Sequence, residues 1–600
     1  VNRVAARVED AVSSIALLAM ATLPLLEIVV RRLFGIGIPG SGPIVQHLVL
    51  WVGFLGAAIA ARDGKLLALA SGTFIPAGPW RRAADAFSAA VGACVSTLLC
   101  TGAWELMVSE REAGTAIGAG IPAWVAQLAL PVSFGLIALR LVWRAGPTWR
   151  LRLVAASGLV AGLLLTRSPG LLEGVSAWPW LSIILVAAAL GAPIFVLLGG
   201  AAVVLFMCDG VTPATVLVET YALSVSPTLP AIPLFTLAGF LLAEGAASGR
   251  LLRVFRAWFG WIPGGTAVVC AFLCSFFTVF TGGSGVTILA LGGVLFPALL
   301  KDGYRERFSL GLMTAAGSLG LLLPPALPLI LYGVVAQIPI EDLFIGGILP
   351  GFLLTAMIAA WGVREGIVTG AGRQRFEMRE ALVSIWDAKW ELAMPFVVLI
   401  AMFSGLATAV EASALVAVYA LVVQAFVHRD LSLTRDLPRV LTECAVVVGG
   451  VLVILGVAVG FTNYLVGAEV PAKMLAWSQQ HIASRFVFLL ALNVFLIAVG
   501  WFMEIFAAIV VVVPLIVPLG AAFGIHPVHL GIIFIANLEL GFLTPLVGIN
   551  IFLASYRFNR PVLEVARAAL PMMAILGVGV LLITYCPWLT LGILHMLGRA

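Results

Sequence analysis

The sequence predicts an all-α polytopic membrane protein, and three observations carry that reading. Hydrophobic residues make up 62% of the 600 and charged residues only 10%, against about 45–50% and roughly 25% in soluble chains. Mean hydropathy is +1.13, with the apolar residues gathered into runs of the roughly 20 residues a spanning helix needs. The 34 lysines and arginines fall mostly in short clusters between those runs, as in cytoplasmic loops. So few charges cannot cover a soluble protein of this length. A net charge of +5 is too small and dispersed for a nucleic-acid partner, so the lipid bilayer is the expected environment.

Residues 1–150 read as a module of about four spans. Apolar runs at 11–30, 44–61, 86–107 and 121–143 alternate with basic clusters at Arg3/Arg7, Arg62/Lys65/Arg81/Arg82 and Arg140 to Arg152, which places both ends in the cytoplasm. The first run reaches Val30 without a small-residue cleavage site, so a retained span is expected rather than a signal peptide. Arg31 and Arg32 break the charge pattern and are assigned to an interfacial helix. Residues 151–180 form a connector, with a shorter apolar run at 153–165 and then a Pro- and Gly-bearing stretch. Two topologies stay open beyond it. Either residues 181–207 fold into two short helices at Gly191-Ala192-Pro193, or the connector does not cross; each keeps Arg250, Arg253 and Arg256 cytoplasmic.

Residues 181–600 form the second module, and two of its apolar stretches have the wrong length for ordinary spans. Residues 266–300 are interrupted by Thr281-Gly282-Gly283-Ser284-Gly285, leaving about 15 apolar residues per arm. At about 1.5 Å per residue each arm reaches roughly 22 Å, short of a bilayer core of about 30 Å. With basic residues at both ends, the segment reads as a re-entrant hairpin with a polar tip; two short tilted spans are the alternative. Residues 486–519 repeat the pattern around Gly500-Trp501-Phe502-Met503-Glu504, with few flanking basic residues, as for a hairpin from the periplasmic side. Each hairpin precedes a helix broken at proline, at Gly317 to Pro325 and at Gly541 to Asn550. Gly283 to Pro324 and Glu504 to Pro545 are both 41 residues. Shared spacing, shared order and opposite sides together indicate an inverted repeat.

Inverted repeats with discontinuous helices point to a transporter's midplane site. Unwound backbone is tolerated at membrane depth only where its free amides and carbonyls line a cavity. Carbonyl and hydroxyl oxygens are hard ligands suited to Na⁺, while half-helix N-termini suit a carboxylate. Thr281 to Gly285, Thr287 and the Gly317–Pro325 break form the first candidate ion site; Glu504 and the Gly541–Asn550 break form its counterpart. The alternative is that these Gly and Pro residues only kink packed helices. Glu504 and Glu539 are carboxylates at membrane depth, costly enough to suggest function. For Glu504, ion or proton coupling and a structural hydrogen bond to a neighbouring tip both stay open, as function and structure do for Glu411. Asn463 and Asn493 are expected to hydrogen-bond between helices. His526 and His529 are placed in a loop, and the seven cysteines are expected to be small buried hydrophobes without a zinc site. No P-loop, Ser/His/Asp set or HExxH motif is present, so an enzyme is not expected, and energy must come from an ion gradient or another subunit.

Several segments, in order, resemble the large membrane subunit of TRAP (tripartite ATP-independent periplasmic) transporters. They are Ala231-Ile-Pro-Leu-Phe235, Phe280-Thr-Gly-Gly-Ser-Gly-Val-Thr287, the run from Leu321 to Val335, Asp342 to Gly351, Glu411-Ala-Ser-Ala-Leu415 and Leu543 to Asn550. The family often has a proline after the acidic residue where this chain has Glu504-Ile505, and a double proline where it has Pro545-Leu546. The front resembles the family's small membrane subunit through Arg31-Arg-Leu-Phe-Gly35, Trp51 to Ala58 and Gly120-Ile-Pro-Ala-Trp124. The resemblance implies a fusion of both subunits in a bacterial inner membrane. It also implies Na⁺-coupled import of a small carboxylate by an elevator mechanism, fed by a periplasmic substrate-binding protein, with Na⁺ as coupling ion and no other cofactor. On that reading Gly283, Ser284, Thr287, Pro325, Thr544 and Asn550 contact substrate, and Thr281, Gly282, Ser284, Gly317, Ser318, Gly320, Glu504, Gly541 and Thr544 hold Na⁺. A stand-alone Na⁺/carboxylate symporter needing no binding protein is the rival.

Overall fold

The computed structural model describes residues 3–69, 78–118, 120–281, 283–372, 375–482, 484–544 and 548–599. Gly282, expected at the first ion site, and Pro545 to Val547, expected in the second break, lie outside them. Among the described residues, 11 helices are long and apolar enough to cross a membrane. The chain divides into two compact units, residues 1–234 with 434–471 and residues 235–433 with 472–600.

In the first unit, the four expected front spans are present as Ala6–Phe34, Ser41–Asp63, Pro79–Ala113 and Ala123–Arg144. Arg31 and Arg32 are not on a separate interfacial helix. They form the last turn of the first helix, where cations complement the negative end of the helix dipole. The connector contributes a 19-residue helix, Trp149–Arg167, itself long and apolar enough to cross. It packs on Pro79–Ala113 through Gly158 and Gly162, where an added Cβ would lie 1.9 Å from the Ala90 carbonyl oxygen and 2.8 Å from Thr97 Cβ. Such small residues let membrane helices approach closely.

Residues 181–207 split into Trp178–Ala189 and Ile194–Cys208. The chain turns at Gly191, whose φ of 108° suits glycine. The Ile194 amide donates to the Leu67 carbonyl at 2.9 Å, and the Gly174 amide donates to the Cys208 carbonyl at 3.0 Å. The turn thus sits beside the Arg62/Lys65 loop and the outer ends sit together near Gly174, so residues 181–207 form the two short helices that one of the two topologies called for. The axis of this unit is Asp436–Gly467. Its Gly449 meets Gly56 so closely that a Cβ on Gly449 would fall 2.1 Å from the Ala57 amide nitrogen, and one on Gly56 2.0 Å from the Ala445 carbonyl oxygen.

The second unit holds both hairpin segments and both broken helices. The first pair of arms is Gly265–Thr281 and Ser284–Lys301, and the second is Arg485–Phe502 and Ile505–Ala522. At 17 or 18 residues the arms are longer than the sequence suggested, because polar residues at the tips and flanks stay helical. They reach about 26 Å at 1.5 Å per residue, so length separates hairpin from tilted span less sharply than the tips do. Gly283 and Glu504 are equivalent: each is the extended residue that starts a second arm, at φ −138°, ψ 122° and φ −73°, ψ 150°. The broken helices comprise Glu306–Ala316 with Leu327–Ala336, and Pro527–Gly541 with Ile549–Phe558. The Pro324–Pro325 peptide between the first halves is cis.

Two further expectations need correction. His529 is not in a loop but fully buried inside Pro527–Gly541. His526 accepts from the Val528 amide at 3.3 Å, and Pro527 is preorganised for the first helical position, so the helix begins earlier than the polar residues suggested. Cys586 is exposed, whereas Cys270, Cys274 and Cys444 are buried and the other three cysteines half-buried. Glu411 completes a capping box: it accepts from the Thr408 amide at 2.8 Å, and Thr408 Oγ1 accepts from the Glu411 amide at 3.3 Å, satisfying two exposed helix-end donors.

Candidate functional site

The first arm carries Ser275, Thr278 and Thr281 at three-residue intervals, which puts three hydroxyls on one helix face. All three are buried, as is Thr287 on the next arm. Their contacts converge at the tip. Thr278 Oγ1 lies 2.8 Å from Thr287 Oγ1 and 2.9 Å from the Gly317 carbonyl oxygen, and Thr281 Oγ1 lies 3.2 Å from Thr287 Oγ1. A single hydroxyl proton cannot serve every acceptor around Thr278, so lone pairs outnumber protons in this cluster. Hydroxyl and carbonyl oxygens with spare lone pairs are hard donors, a set able to accept a cation.

Glycine allows the break to reach the tip. A Cβ at Gly317 would fall 3.0 Å from the Ser284 carbonyl oxygen and 2.6 Å from Ile288 Cγ1. One at Gly320 would fall 2.2 Å from the Ser275 carbonyl oxygen and 2.9 Å from the Val279 amide nitrogen. The expected set of Thr281, Gly283, Ser284, Thr287, Gly317, Ser318 and Gly320 is therefore brought together at one junction. Pro325 is buried in the same break. Thr278, the hub of the junction, is a residue that sequence reasoning missed. Its signal was the three-residue spacing of hydroxyls in an apolar arm.

The second hairpin meets the second break in a similar way. A Cβ on Gly541 would lie 2.8 Å from Gly500 Cα, and Thr544 Oγ1 donates to the Gly541 carbonyl at 2.6 Å. Glu504 caps its own arm, accepting from the Phe506 amide at 3.2 Å; among the described residues no hydrogen bond joins it to Gly541 or Thr544. The hydrogen bond found at Glu504 is thus to its own helix end and not to a neighbouring tip, with one carboxylate oxygen committed to the cap.

The two repeats interlock. Asn550 Nδ2 donates to the Thr314 carbonyl at 3.2 Å, just before the first break, and Leu553 Cδ1 fills the space a Gly285 side chain would need. The Glu539 carboxyl lies beside the Ser318 hydroxyl. Asn550 Oδ1 is buried without a hydrogen-bond partner among the described residues, so it is an unmet acceptor at the junction. Asn493 bonds between helices as expected: Asn537 Nδ2 donates to its Oδ1 at 2.6 Å and Thr584 Oγ1 at 3.1 Å. Asn463 is exposed. Among the described residues no group of three or more His, Cys, Asp or Glu side chains is placed to hold a metal.

Two family models match the chain. One, described as the DctM component of the tripartite ATP-independent periplasmic transporter, matches residues 181–589. The other, the DctQ component of the same transporters, matches residues 20–151. An isethionate TRAP transporter permease protein DctMQ from Oleidesulfovibrio alaskensis is 33% identical over 83% of this chain and 80% of its own. A C4-dicarboxylate TRAP transporter large permease protein DctM from Pseudomonas aeruginosa is 33% identical over 67% of this chain and 94% of its own. A sialic acid TRAP transporter large permease protein SiaM from Vibrio cholerae is 31% identical over 61% and 85%. With both components in one polypeptide, the chain belongs to the TRAP transporter family as a fused, multi-pass inner-membrane permease, a transporter rather than an enzyme.

Proposed function

We propose that this permease imports a small organic acid in symport with Na⁺, taking the substrate from a periplasmic substrate-binding protein. The observation that carries the reading is the junction where Thr278, Thr281 and Thr287 hydroxyls meet the Gly317 carbonyl. Hydroxyl and carbonyl oxygens with spare lone pairs suit a hard monovalent cation, and here they come from a hairpin tip and a helix break at once. In this reading the Thr278 and Thr287 hydroxyls join Thr281, Gly282, Ser284, Gly317, Ser318 and Gly320 around one Na⁺, and Glu504, Gly541 and Thr544 surround a second. The amides that open the second arms and the second half-helices offer partial positive charge to a carboxylate. Gly283, Ser284, Thr287, Pro325, Thr544 and Asn550 then line the substrate position. Relatives named for isethionate, a C4-dicarboxylate and sialic acid support an acidic substrate class.

Both hairpins and both breaks lie in one compact unit and hold one another by backbone-level contacts. They are therefore suited to move as a block, as an elevator mechanism requires, with the hairpins re-entrant and the repeats oppositely oriented. The test is reconstitution into vesicles with an imposed Na⁺ gradient, with and without the binding protein. Uptake needing both is expected. Uptake without the binding protein favours the stand-alone symporter, and uptake indifferent to Na⁺ removes the coupling.

A further inference from the structure

The helix Ala231–Glu244 meets the helix Ala247–Phe259 at a bend of 77°, and the second helix carries Arg250, Arg253 and Arg256. Two of the three are neutralised. Arg250 donates to Glu391 at 2.6 and 2.8 Å and to Asp430 at 2.7 Å; Arg253 is held by Glu380 and Asp387, each at 2.6 Å. Arg256 has no carboxylate partner among the described residues, and its Nε is buried without an acceptor. A cavity of about 260 Å³ opens on Arg256, Arg253 and Glu380. Beside it is a second of about 410 Å³, walled by Trp258, Phe259, Trp261, Ile262 and Phe376. Both lie between this helix and the segment 376–387. The ring pairs Trp258–Phe376 and Trp261–Phe376 meet edge to face at 6.4 and 6.3 Å, and all three rings remain well exposed.

We propose that this groove binds one anionic phospholipid of the cytoplasmic leaflet, with its phosphate on Arg256 and an acyl chain against Trp258, Trp261 and Phe376. Arg256 lines the first cavity with no carboxylate partner among the described residues, and an unpaired guanidinium is matched to phosphate oxygens. Basic clusters beside a membrane helix attract anionic headgroups, and exposed tryptophans mark the interface. A free phosphate would use the first cavity only and leave the aromatic one without a role, so the pairing of the two selects a lipid.

Native mass spectrometry of the full chain in detergent, with phosphatidylglycerol or phosphatidylcholine added, tests this. Preferential phosphatidylglycerol adducts are expected on the wild type. Arg256→Gln is expected to weaken them about fivefold, the worth of one basic side chain at an anionic surface. Trp261→Ala, at a half-exposed position, is expected to weaken adducts of either lipid while leaving the melting midpoint in place. Equal adducts for the two lipids on the wild type overturn the proposal, as does an undiminished preference in a folded Arg256→Gln. Inorganic phosphate displacing the lipid at equal concentration also overturns it, by assigning the site to a free anion. If Arg256→Gln does not fold, undiminished adducts in Trp261→Ala overturn it, and weakened ones support it.

Discussion

Gly320→Ala tests the contact between tip and break most sharply. The new methyl would lie 2.2 Å from the Ser275 carbonyl oxygen and 2.9 Å from the Val279 amide nitrogen. Both are backbone atoms of one helical arm, so neither can rotate away, and the break must retreat by about 1 Å to regain ordinary contact distances. Overpacking of this kind costs about 1–3 kcal/mol. The same retreat carries Gly317 away from Thr278, whose 2.9 Å hydrogen bond then exceeds useful length. If Na⁺ takes oxygens from both elements, its affinity falls at least tenfold, or about 1.4 kcal/mol. The assay is the Na⁺ concentration for half-maximal uptake in vesicles, beside the melting midpoint of the purified chain. Gly42→Ala is the control: nothing lies within 4 Å of its Cβ, and Gly to Ala within a helix gains up to about 1 kcal/mol. An unchanged Na⁺ requirement in Gly320→Ala, with an unchanged melting midpoint, would refute the reasoning.

Other substitutions separate structure from transport. Thr278→Val keeps shape but leaves the Gly317 carbonyl short of a donor, so a loss of about 1–3 kcal/mol of stability is expected, with a raised Na⁺ requirement; melting curves and Na⁺ titrations of uptake check both. Ser284→Ala is expected to weaken Na⁺-driven uptake more than folding, and normal Na⁺ dependence would remove its side chain from the site. Glu391 is fully buried against Arg250, so Glu391→Ala leaves Arg250 with Asp430 and Gln424 only and is expected to cost about 1–3 kcal/mol, read as a lowered melting midpoint.

Much of this arrangement was legible from breaks in apolar runs. The Thr281–Gly285 and Gly500–Glu504 interruptions were visible because polar and glycine residues are rare inside spans; the second narrows to Met503–Glu504 in the structure, and Gly283 and Glu504 proved to be equivalent helix starts. What escaped depended on packing between distant segments. Thr278 looked like an ordinary helix hydroxyl, and indeed also bonds the Cys274 carbonyl at 2.8 Å; only Gly317, far along the chain, makes it a hub. Glu539 was recognisable as costly, but not its neighbour Ser318. The helix pair at Gly191 is joined to residues 62–67 by the Ile194–Leu67 hydrogen bond, which no local pattern announces. His529 was misplaced because a polar cluster near Pro527 reads as a loop, while the helix gains its partners Thr584 and Thr590 from a distant segment.

The most direct test of the central claim is equilibrium binding of radioactive Na⁺ to the purified full-length chain and to Thr287→Val. Thr287 Oγ1 stands between Thr278 and Thr281, so its removal withdraws the oxygen shared by both without touching the backbone. Saturable binding to the wild type is predicted, weakened at least tenfold in a variant that still folds. Equal binding by the two would contradict the assignment of the coupling ion to this junction.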